Sequence, residues 1–358
     1  SLYLNGEHNQ DIELSSRQCY DYENPDFPRV YDEVSVVIDV PEGATIKLQK
    51  DADNTCDWYR IDLIDLETAP PPLTMPEGYL SITDFGATPD YDTDDTDAIH
   101  ACVAAAAQQG KHVWIPEGFF ILNRRAHIPA YMNVKGAGIW YSQLHSTVDK
   151  ENATYQSDIG FSLEHDSIIS DIKFTGSGTA RKRSQIVIRP HGHDNIIERI
   201  WVQNAGCAWG WTGTLKQGPY NQEESPEFAD YNNIFRDSRV IGTYFDGTHW
   251  GDGQSWDNLI ENCFFRGLGD DAIACINQSH RTVNDNNVAR FNTIIASYKG
   301  RGIAIVGGDN FTATDNYIDS TYNAGILLQA ENMTTPTRAI NNAVFERNWV
   351  TRCSHSAN

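Results

Sequence analysis

Short apolar runs recur through the second part of the chain, and their spacing restricts the fold more than any other feature. From about residue 160, runs rich in β-branched and aromatic residues return with polar residues in their middle. They lie at 168–174, 196–202, 234–240, 259–265, 288–294, 311–318 and 343–350. Four runs carry an asparagine at what we interpret as one shared place, each one repeat after the last: Asn262, Asn292, Asn316 and Asn348. A second series with similar intervals lies between them: Asp271-Ala272-Ile273, Arg301-Gly302-Ile303 and Ala324-Gly325-Ile326.

A repeat of roughly 30 residues without intervening helices is typical of a parallel β-helix, in which each repeat forms one coil of short strands and turns. A coil cannot bury its apolar side alone, so coils stack about 4.8 Å apart, the ordinary strand spacing. The recurrent asparagines can then form ladders that satisfy one another's amides. A sandwich would not explain asparagines in register, and a propeller needs about forty residues per blade. We therefore predict an all-β protein built around a right-handed parallel β-helix.

The segment at 1–72 follows a different pattern. Residues 34–38 and 59–66 alternate apolar and polar side chains, which is typical of antiparallel strands in a sandwich. The segment is short for a complete sandwich, so we predict a partial β-sandwich at 1–72, before the β-helix at 73–358. Prolines at 70–72 and at 76 indicate a stiff linker between the two.

One helix is predicted near the start of the second domain. Thr93, Asp94 and Asp95 supply capping oxygens and negative charge before it, and Gly110 follows its last apolar residues.

Composition excludes several classes of partner. The formal net charge of −22 argues against nucleic acid and anionic membranes, because both are polyanions. No stretch approaches the roughly 18 apolar residues of a membrane span. The chain starts at Ser1 without a basic and apolar leader, so we expect that a signal peptide was removed or never existed. Among the seven cysteines, Cys19 and Cys56 could form a disulfide or stay reduced.

Three aspartates carry the clearest chemical signal. Asp246 precedes the adjacent pair Asp270 and Asp271 by an interval close to one coil. The three carboxylates should therefore lie at one angular position on adjacent coils, roughly 5–9 Å apart. Cleavage of a glycosidic bond needs one carboxylic acid to protonate the leaving oxygen and a second carboxylate to activate water or to attack. Packing like charges together raises at least one pKa, which supplies the acid near neutral pH.

Other interpretations of these aspartates stay open. Asp-Gly and Gly-Asp pairs are common turn formers, and Asp252 is a rival for the place of Asp246. A further acidic run could bind a structural calcium ion or cap the helix that follows it. Its members are Asp90, Asp92, Asp94, Asp95 and Asp97. Hydrolysis by carboxylates itself requires no cofactor and no catalytic metal.

Aromatic and basic residues on neighbouring coils are candidates for sugar subsites. Aromatic faces stack on sugar C–H surfaces, and Arg can donate paired hydrogen bonds to hydroxyls. The candidates are His249, Trp250, Trp256, Tyr298 and Arg301. Packing in the core is the alternative for each tryptophan.

Several motifs resemble known proteins. The sequences at 81–87, 94–99 and 113–118 resemble the opening segment of pectin-lyase-like β-helix proteins, a superfamily of polygalacturonases, glucanases, lyases and phage tailspikes. The sequence at 134–141, together with Asp246-Gly247 and Gly269-Asp270-Asp271, looks like glycoside hydrolase family 87, which holds α-1,3-glucanases and mycodextranases. One departure is the loop at 248–253, which is slightly longer than expected.

The resemblance to family 87 implies a secreted, monomeric endo-hydrolase that acts on an α-glucan with inversion. It maps the catalytic aspartates onto Asp246, Asp270 and Asp271, with Asp270 as general acid and the other two holding the attacking water. A polygalacturonase is a rival, but its site needs cations for the uronate, and the motif Arg301-Gly302-Ile303 lacks the second basic residue that such enzymes carry there. A lyase and a β-helix that only binds carbohydrate are further alternatives.

Overall fold

The computed structural model describes residues 1–14, 33–54, 57–148, 159–176, 186–210, 229–251, 254–277, 283–331 and 337–355. Within these ranges the chain is built mainly of short strands, with one α-helix at Thr96–Gln109 and one 3-10 helix at Ile82–Phe85. Neither helix combines the length and the apolar character that crossing a membrane would require.

A small antiparallel sheet lies at the amino terminus. Its strands are Glu7–Gln10, Leu2–Leu4 and Ile46–Leu48, in that spatial order. The expected strands at 34–38 and 59–66 are wrong, because no strand in the described residues pairs with either segment. Alternation alone therefore did not make a strand there, and Val37 and Leu63 stay exposed. The predicted domain boundary between residues 72 and 73 stays a prediction. Leu73, on the β-helix side of that boundary, donates a backbone hydrogen bond to Ala137.

The predicted helix is present and covers the first coils. Its apolar side buries Ile99, Cys102 and Ala106 completely. Gly110 ends it in the left-handed conformation, at φ 61°, where a side chain would be strained. Asp94 accepts the backbone N–H of Thr96, the first residue of the helix, whereas the side chain of the N-cap residue Asp95 makes no capping hydrogen bond.

Four parallel sheets run along the β-helix. Sheet one contains Tyr79–Ser81, His112–Ile115, Val134–Gly136, Ile168–Ser170, Ile196–Glu198, Ile234–Arg236, Leu259–Glu261, Val288–Arg290, Thr312–Thr314 and Val344–Glu346. Sheet two contains Gly118–Ile121, Ser142–Ser146, Lys173–Gly176, Trp201–Gln203, Arg239–Ile241, Phe264–Arg266, Thr293–Ile295, Tyr317–Asp319 and Trp349–Thr351. Sheet three contains Ala126–Ile128, Phe161–Leu163, Ile186–Pro190, Cys207–Gly210, Thr248–Gly251, Ile273–Ile276, Ile303–Val306 and Ile326–Leu328. Sheet four contains Asp230–Tyr231, Ser255–Trp256, Asn284–Asp285, Gly308–Asp309 and Ile340–Asn341.

From His112 onward, each coil passes through sheets one, two and three in that order. From Asp230 onward, a strand of sheet four follows sheet three before the next coil begins in sheet one. Every pairing between neighbouring coils is parallel, as in Thr248 with Ile273 and Ile273 with Ile303. The predicted right-handed parallel β-helix is therefore confirmed. Its core lies between the sheets and is filled by side chains such as Phe235 and Phe265, which are fully buried.

Each predicted apolar run is two strands that belong to different sheets. A single residue with positive φ turns the chain from sheet one into sheet two, for example Asp237 at 50° or Asp315 at 58°. Asp and Asn tolerate this conformation better than most side chains because they can hydrogen-bond locally. Runs that read as continuous in the sequence are thus bent in the middle.

The asparagine ladder is present, with one correction. Asn292, Asn316 and Asn348 form consecutive rungs, in which each side-chain oxygen accepts the backbone N–H of the rung before it. Asn262 is not a rung, since it is the bending residue at φ 52°, and Cys263 takes the ladder position. A second ladder, at the start of sheet one, was not predicted: Asn195, Asn233, Asn258 and Asn287.

Candidate active site

Stacking of the coils brings the predicted aspartates to one corner, between sheet two and sheet three. Asp246 and Asp271 each lie two residues before the paired strand starts Thr248 and Ile273, so they occupy equivalent positions on adjacent coils. Arg301 holds the same position on the following coil, two residues before Ile303. A column of two carboxylates followed by one guanidinium therefore runs along the axis of the β-helix.

The three carboxylates converge as their spacing predicted. One oxygen from each of Asp246, Asp270 and Asp271 lies within 4.8 Å of the others. Asp246 and Asp271 are buried, whereas Asp270 is partly exposed. The cluster therefore has two members in the wall of the corner and one member that solvent reaches.

Both oxygens of Asp246 have partners. His249 Nδ1 lies 2.7 Å from one oxygen, and the backbone N–H of Asp271 donates to the other at 3.1 Å. The side chain of His249 is only 6% exposed, so it faces Asp246 and not an open subsite. This placement differs from the sugar contact expected for His249.

Asp271 is held by the next coil. The backbone N–H of Arg301 donates to it at 2.8 Å, and the guanidinium lies 3.4 Å from its other oxygen. Burial raises the pKa of Asp271 to about 7, the charges of Asp246 and Asp270 act in the same direction, and Arg301 opposes them. Because the three carboxylates are so close, the proton they retain belongs to the cluster as a whole.

The backbone of Asp270 lies close against Gly300 of the following coil. A Cβ added to Gly300 would lie 1.9 Å from the carbonyl carbon of Asp270, so only glycine allows the two backbones to approach this closely. The hydroxyl of Tyr298 lies over Gly269 and donates to the Thr243 carbonyl at 3.4 Å. The side chain of Tyr298 is partly exposed beside the acidic corner, and its role in sugar binding stays a prediction. Gly300 was not identified from the sequence, because nothing there distinguishes it from a turn glycine.

The prediction that Trp250 binds sugar is wrong. Its side chain is 1% exposed and packs against Trp209 and Phe311 in the core, because successive residues of a strand face opposite sides and His249 takes the outer side. Trp256 lies in sheet four, partly exposed, with its ring stacked on Tyr231 at 4.9 Å. A role for Trp256 in sugar binding stays a prediction.

Two groups of side chains could hold a cation, among the residues that the structure describes. One is the aspartate cluster itself, and the other is Asp166, His193 and Asp194, which are more exposed. The acidic run at 90–97 does not form such a group. Asp95, for example, accepts backbone N–H groups from Thr88 and Ile121.

Three residues considered from the sequence lie outside the described ranges. They are the rival aspartate Asp252 and the two cysteines of the suggested disulfide, Cys19 and Cys56.

Two family models match the chain. Residues 79–326 match the model described as rhamnogalacturonase A/epimerase, pectate lyase-like. Residues 1–69 match the model described as alpha-1,3-glucanase catalytic domain D1. Together they cover the amino-terminal segment and most of the β-helix.

Solved structures share the whole architecture. The Agl-KA catalytic domain is 24% identical, with a TM-score of 0.79 over 98% of this chain and 63% of that chain. The catalytic unit of the family 87 α-1,3-glucanase from Streptomyces thermodiastaticus strain HF3-3 is 23% identical, with a TM-score of 0.72 over 96% of this chain and 61% of that chain. At these identities the likeness shows a common fold. The match of residues 79–326 confirms the resemblance to pectate-lyase-like proteins, and the match of residues 1–69 agrees with the resemblance to family 87.

A curated relative is the pre-neck appendage protein of Bacillus phage B103. It is 24% identical over 213 residues, which is 58% of this chain and 22% of the phage protein. The chain therefore spans about three fifths of these two solved chains and about a fifth of the phage protein.

Proposed function

The chain belongs to the rhamnogalacturonase A/epimerase, pectate lyase-like family, and we propose that it is a glycoside hydrolase that cleaves α-1,3-glucan internally. The observation that carries the proposal is the convergence of Asp246, Asp270 and Asp271, one oxygen of each within 4.8 Å of the others. Aspartates that only form turns would not need to be buried, whereas Asp246 and Asp271 are buried and both oxygens of each have a polar partner. Such a cluster supplies both the acid and the base that glycoside hydrolysis requires.

Asp270 is the general acid in this proposal. It is the partly exposed member of the cluster, so a glycosidic oxygen on the outer side of the corner can approach it. The proton that the cluster retains up to about pH 7, as the raised pKa of Asp271 indicates, is the proton available to the leaving oxygen. Proton transfer then lets the C–O bond break without expelling an alkoxide.

Asp246 and Asp271 orient the attacking water. Asp246, fixed through both oxygens, accepts the proton of the water as it attacks the anomeric carbon. A pair that activates water is usually about 6.5–9.5 Å apart, and a pair with a nucleophile about 5–5.5 Å. The 4.8 Å limit between single oxygens matches neither range, so inversion is proposed from the resemblance to family 87.

The choice of α-1,3-glucan rests on the comparisons. The amino-terminal segment matches an α-1,3-glucanase domain, and family 87 structures were solved in complex with nigerose and with tetrasaccharides. A neutral substrate also suits a chain of net charge −22, which would repel a polyanion. Polymers of this kind do not enter cells, so we propose that the protein acts outside the cell.

An acidic polysaccharide of the pectin type is the second candidate. The description of the family model favours it, and Arg301 is a cation beside the cluster. Against it, the guanidinium of Arg301 already faces Asp271, which leaves less of its charge for a uronate.

Release of reducing ends from a panel of polysaccharides tests the proposal. The panel contains α-1,3-, α-1,4- and β-glucans, polygalacturonate and rhamnogalacturonan, and each is also treated with the Asp246→Asn variant as control. We expect release from α-1,3-glucan, and NMR of the first product should show the inverted anomer. Activity on the acidic polymers alone would select the second candidate. Initial retention of configuration would replace the water-activating role by a nucleophilic carboxylate.

A further inference from the structure

We propose that His249 is a positioning residue that holds Asp246 in the orientation needed to meet the attacking water. This inference rests on the proposed hydrolytic function and adds to it a residue that acts through Asp246, without contact to sugar. It replaces the subsite role that the sequence suggested for His249.

The contact itself is short and enclosed. Nδ1 of His249 lies 2.7 Å from Asp246 Oδ2, and both side chains are more than nine-tenths buried. An ionised carboxylate only accepts hydrogen bonds, so Nδ1 must carry the proton that joins the two groups. The bond therefore selects the tautomer of the imidazole and one rotamer of the carboxylate.

The local backbone explains why the two side chains meet. Asp246 lies in the corner and His249 on the first strand of sheet three after it, with Gly247 between them. The N–H of Gly247 donates to the Asp271 carbonyl, and its own carbonyl accepts from Ala208. Because the corner is fixed to the coils on both sides, the side chain of Asp246 is the part left to be oriented.

Neighbouring coils leave room for the imidazole. In the register of sheet three, His249 pairs with Gly210 on one side and with Ala274 on the other. Small residues occupy this position on both adjacent coils, so alanine at 249 is compatible with the fold. The imidazole of His249 is therefore not needed for the strands to stack, and its main contact is with Asp246.

Loss of the contact should act on turnover. Asp246 would keep the hydrogen bond from Asp271 N–H but would sample other rotamers about it. A reacting group misplaced by about 1 Å can cost about 100-fold in rate. We expect His249→Ala to lower kcat about 10- to 100-fold while KM changes less than about twofold.

His249→Asn separates positioning from any other role. The side-chain amide of Asn can place an N–H near the position of Nδ1, so it should restore a large part of the lost kcat. His127→Ala is the matched control, because His127 lies in the same sheet, several coils away, and pairs with Glu164 at 2.9 Å. Circular dichroism and melting curves establish that every variant folds.

An NMR measurement tests the contact without activity. In the protein labelled with ¹⁵N-histidine, we expect a downfield Nδ1–H proton of His249 that shifts in Asp246→Asn and stays unchanged in Asp270→Asn. A rise in KM at constant kcat in His249→Ala, or no recovery in His249→Asn, would overturn the positioning role. If the wild type cleaves no polysaccharide but the Nδ1–H signal responds as expected, the proposed function fails and the contact stands. If the signal does not respond, the inference fails by itself.

Discussion

Asp270 differs from its two partners in exposure, and this difference leads to a prediction about leaving groups. If it donates the proton, Asp270→Asn should lose at least about 100-fold in kcat on polysaccharide but much less on a glycosyl fluoride, because fluoride leaves without protonation. Asp246→Asn should be poor on both substrates, since it removes the base. Initial rates on the two substrates measure the difference, and equal losses for Asp270→Asn would refute its role as acid.

Asp271 should make the stability of the protein depend on pH. Its pKa is raised from the ordinary value of 3.8 to about 7, chiefly by burial, so the folded state binds its proton more tightly than the unfolded state. The contribution of Asp271 to the free energy of unfolding is therefore fully present below about pH 4. It is lost as the pH rises toward 7, by up to about 1.4 kcal/mol per pH unit.

Removal of the carboxyl should remove that dependence. Asp271→Asn is expected to show a flatter profile of unfolding free energy between pH 4.5 and 7.5 than the wild type, whatever its absolute stability. The exposed Asp257→Asn serves as control, and denaturant titrations at several pH values measure both. An unchanged slope in Asp271→Asn would mean that the raised pKa does not belong to Asp271.

At the scale of strands and coils, two asparagines that look alike in the sequence have different structural roles, one in the asparagine ladder and one in a bend. The side chain of Asn292 is buried, accepts the backbone N–H of Cys263 and donates to the Ile260 carbonyl and to Asn316 Oδ1. Asn292→Ala would leave buried backbone groups unpaired, at about 1–3 kcal/mol for each. Asn262→Gly should cost less than about 1 kcal/mol, because glycine readily adopts its positive φ.

Denaturant unfolding of both variants measures this contrast. A comparable loss for Asn262→Gly would show that the two positions are equivalent, as the sequence suggested. Because Asn292 is a rung of the ladder and Asn262 is the bending residue of the adjacent coil, the comparison measures the two contributions to stability separately.

Apolar spacing was sufficient to locate the apolar runs of the β-helix, but it could not locate the bend within each run. A bend uses one residue with positive φ, and that residue can be Asp237, Asn262 or even Phe291. Sequence therefore predicted the coils and missed by one position which residue joins the ladder. The same limit misplaced Trp250, because the side of the sheet it faces depends on where the corner before Thr248 ends.

At the scale of the whole molecule, the aspartates were predictable because coil length converts sequence separation into proximity. The separation of Asp246 from Asp271 equals one coil in the register of Thr248 and Ile273, so no tertiary information was needed. Contacts that depend on side-chain burial or on the local backbone path were not predictable from coil length. The pairing of His249 with Asp246 depends on burial of the corner, and the fit of Gly300 under Asp270 depends on the backbone path of the next coil.

The amino-terminal segment contacts the outer side of sheet two, and one ion pair makes that contact measurable. Both terminal nitrogens of Arg239 bond to Glu67, at 2.5 and 2.6 Å, and the guanidinium also lies over the rings of Trp140 and Trp201. The guanidinium is thus held between an aromatic surface and a carboxylate. This geometry restricts the motion of the guanidinium. The interaction free energy between Glu67 and Arg239 should therefore be larger than that of an ordinary surface ion pair.

A double-mutant cycle of Glu67→Gln and Arg239→Gln should therefore give a coupling of about 1 kcal/mol in unfolding free energy. The exposed pair of Arg124 and Asp97, joined by a single contact of 2.8 Å, is the control and should give less than about 0.5 kcal/mol. Addition of about 1 M salt should reduce both couplings, and that of Arg239 less, because its partner and the two rings shield it from ions. A coupling near zero would mean that Glu67 and Arg239 are not held in this geometry in solution, since a mobile surface ion pair contributes nothing measurable to stability.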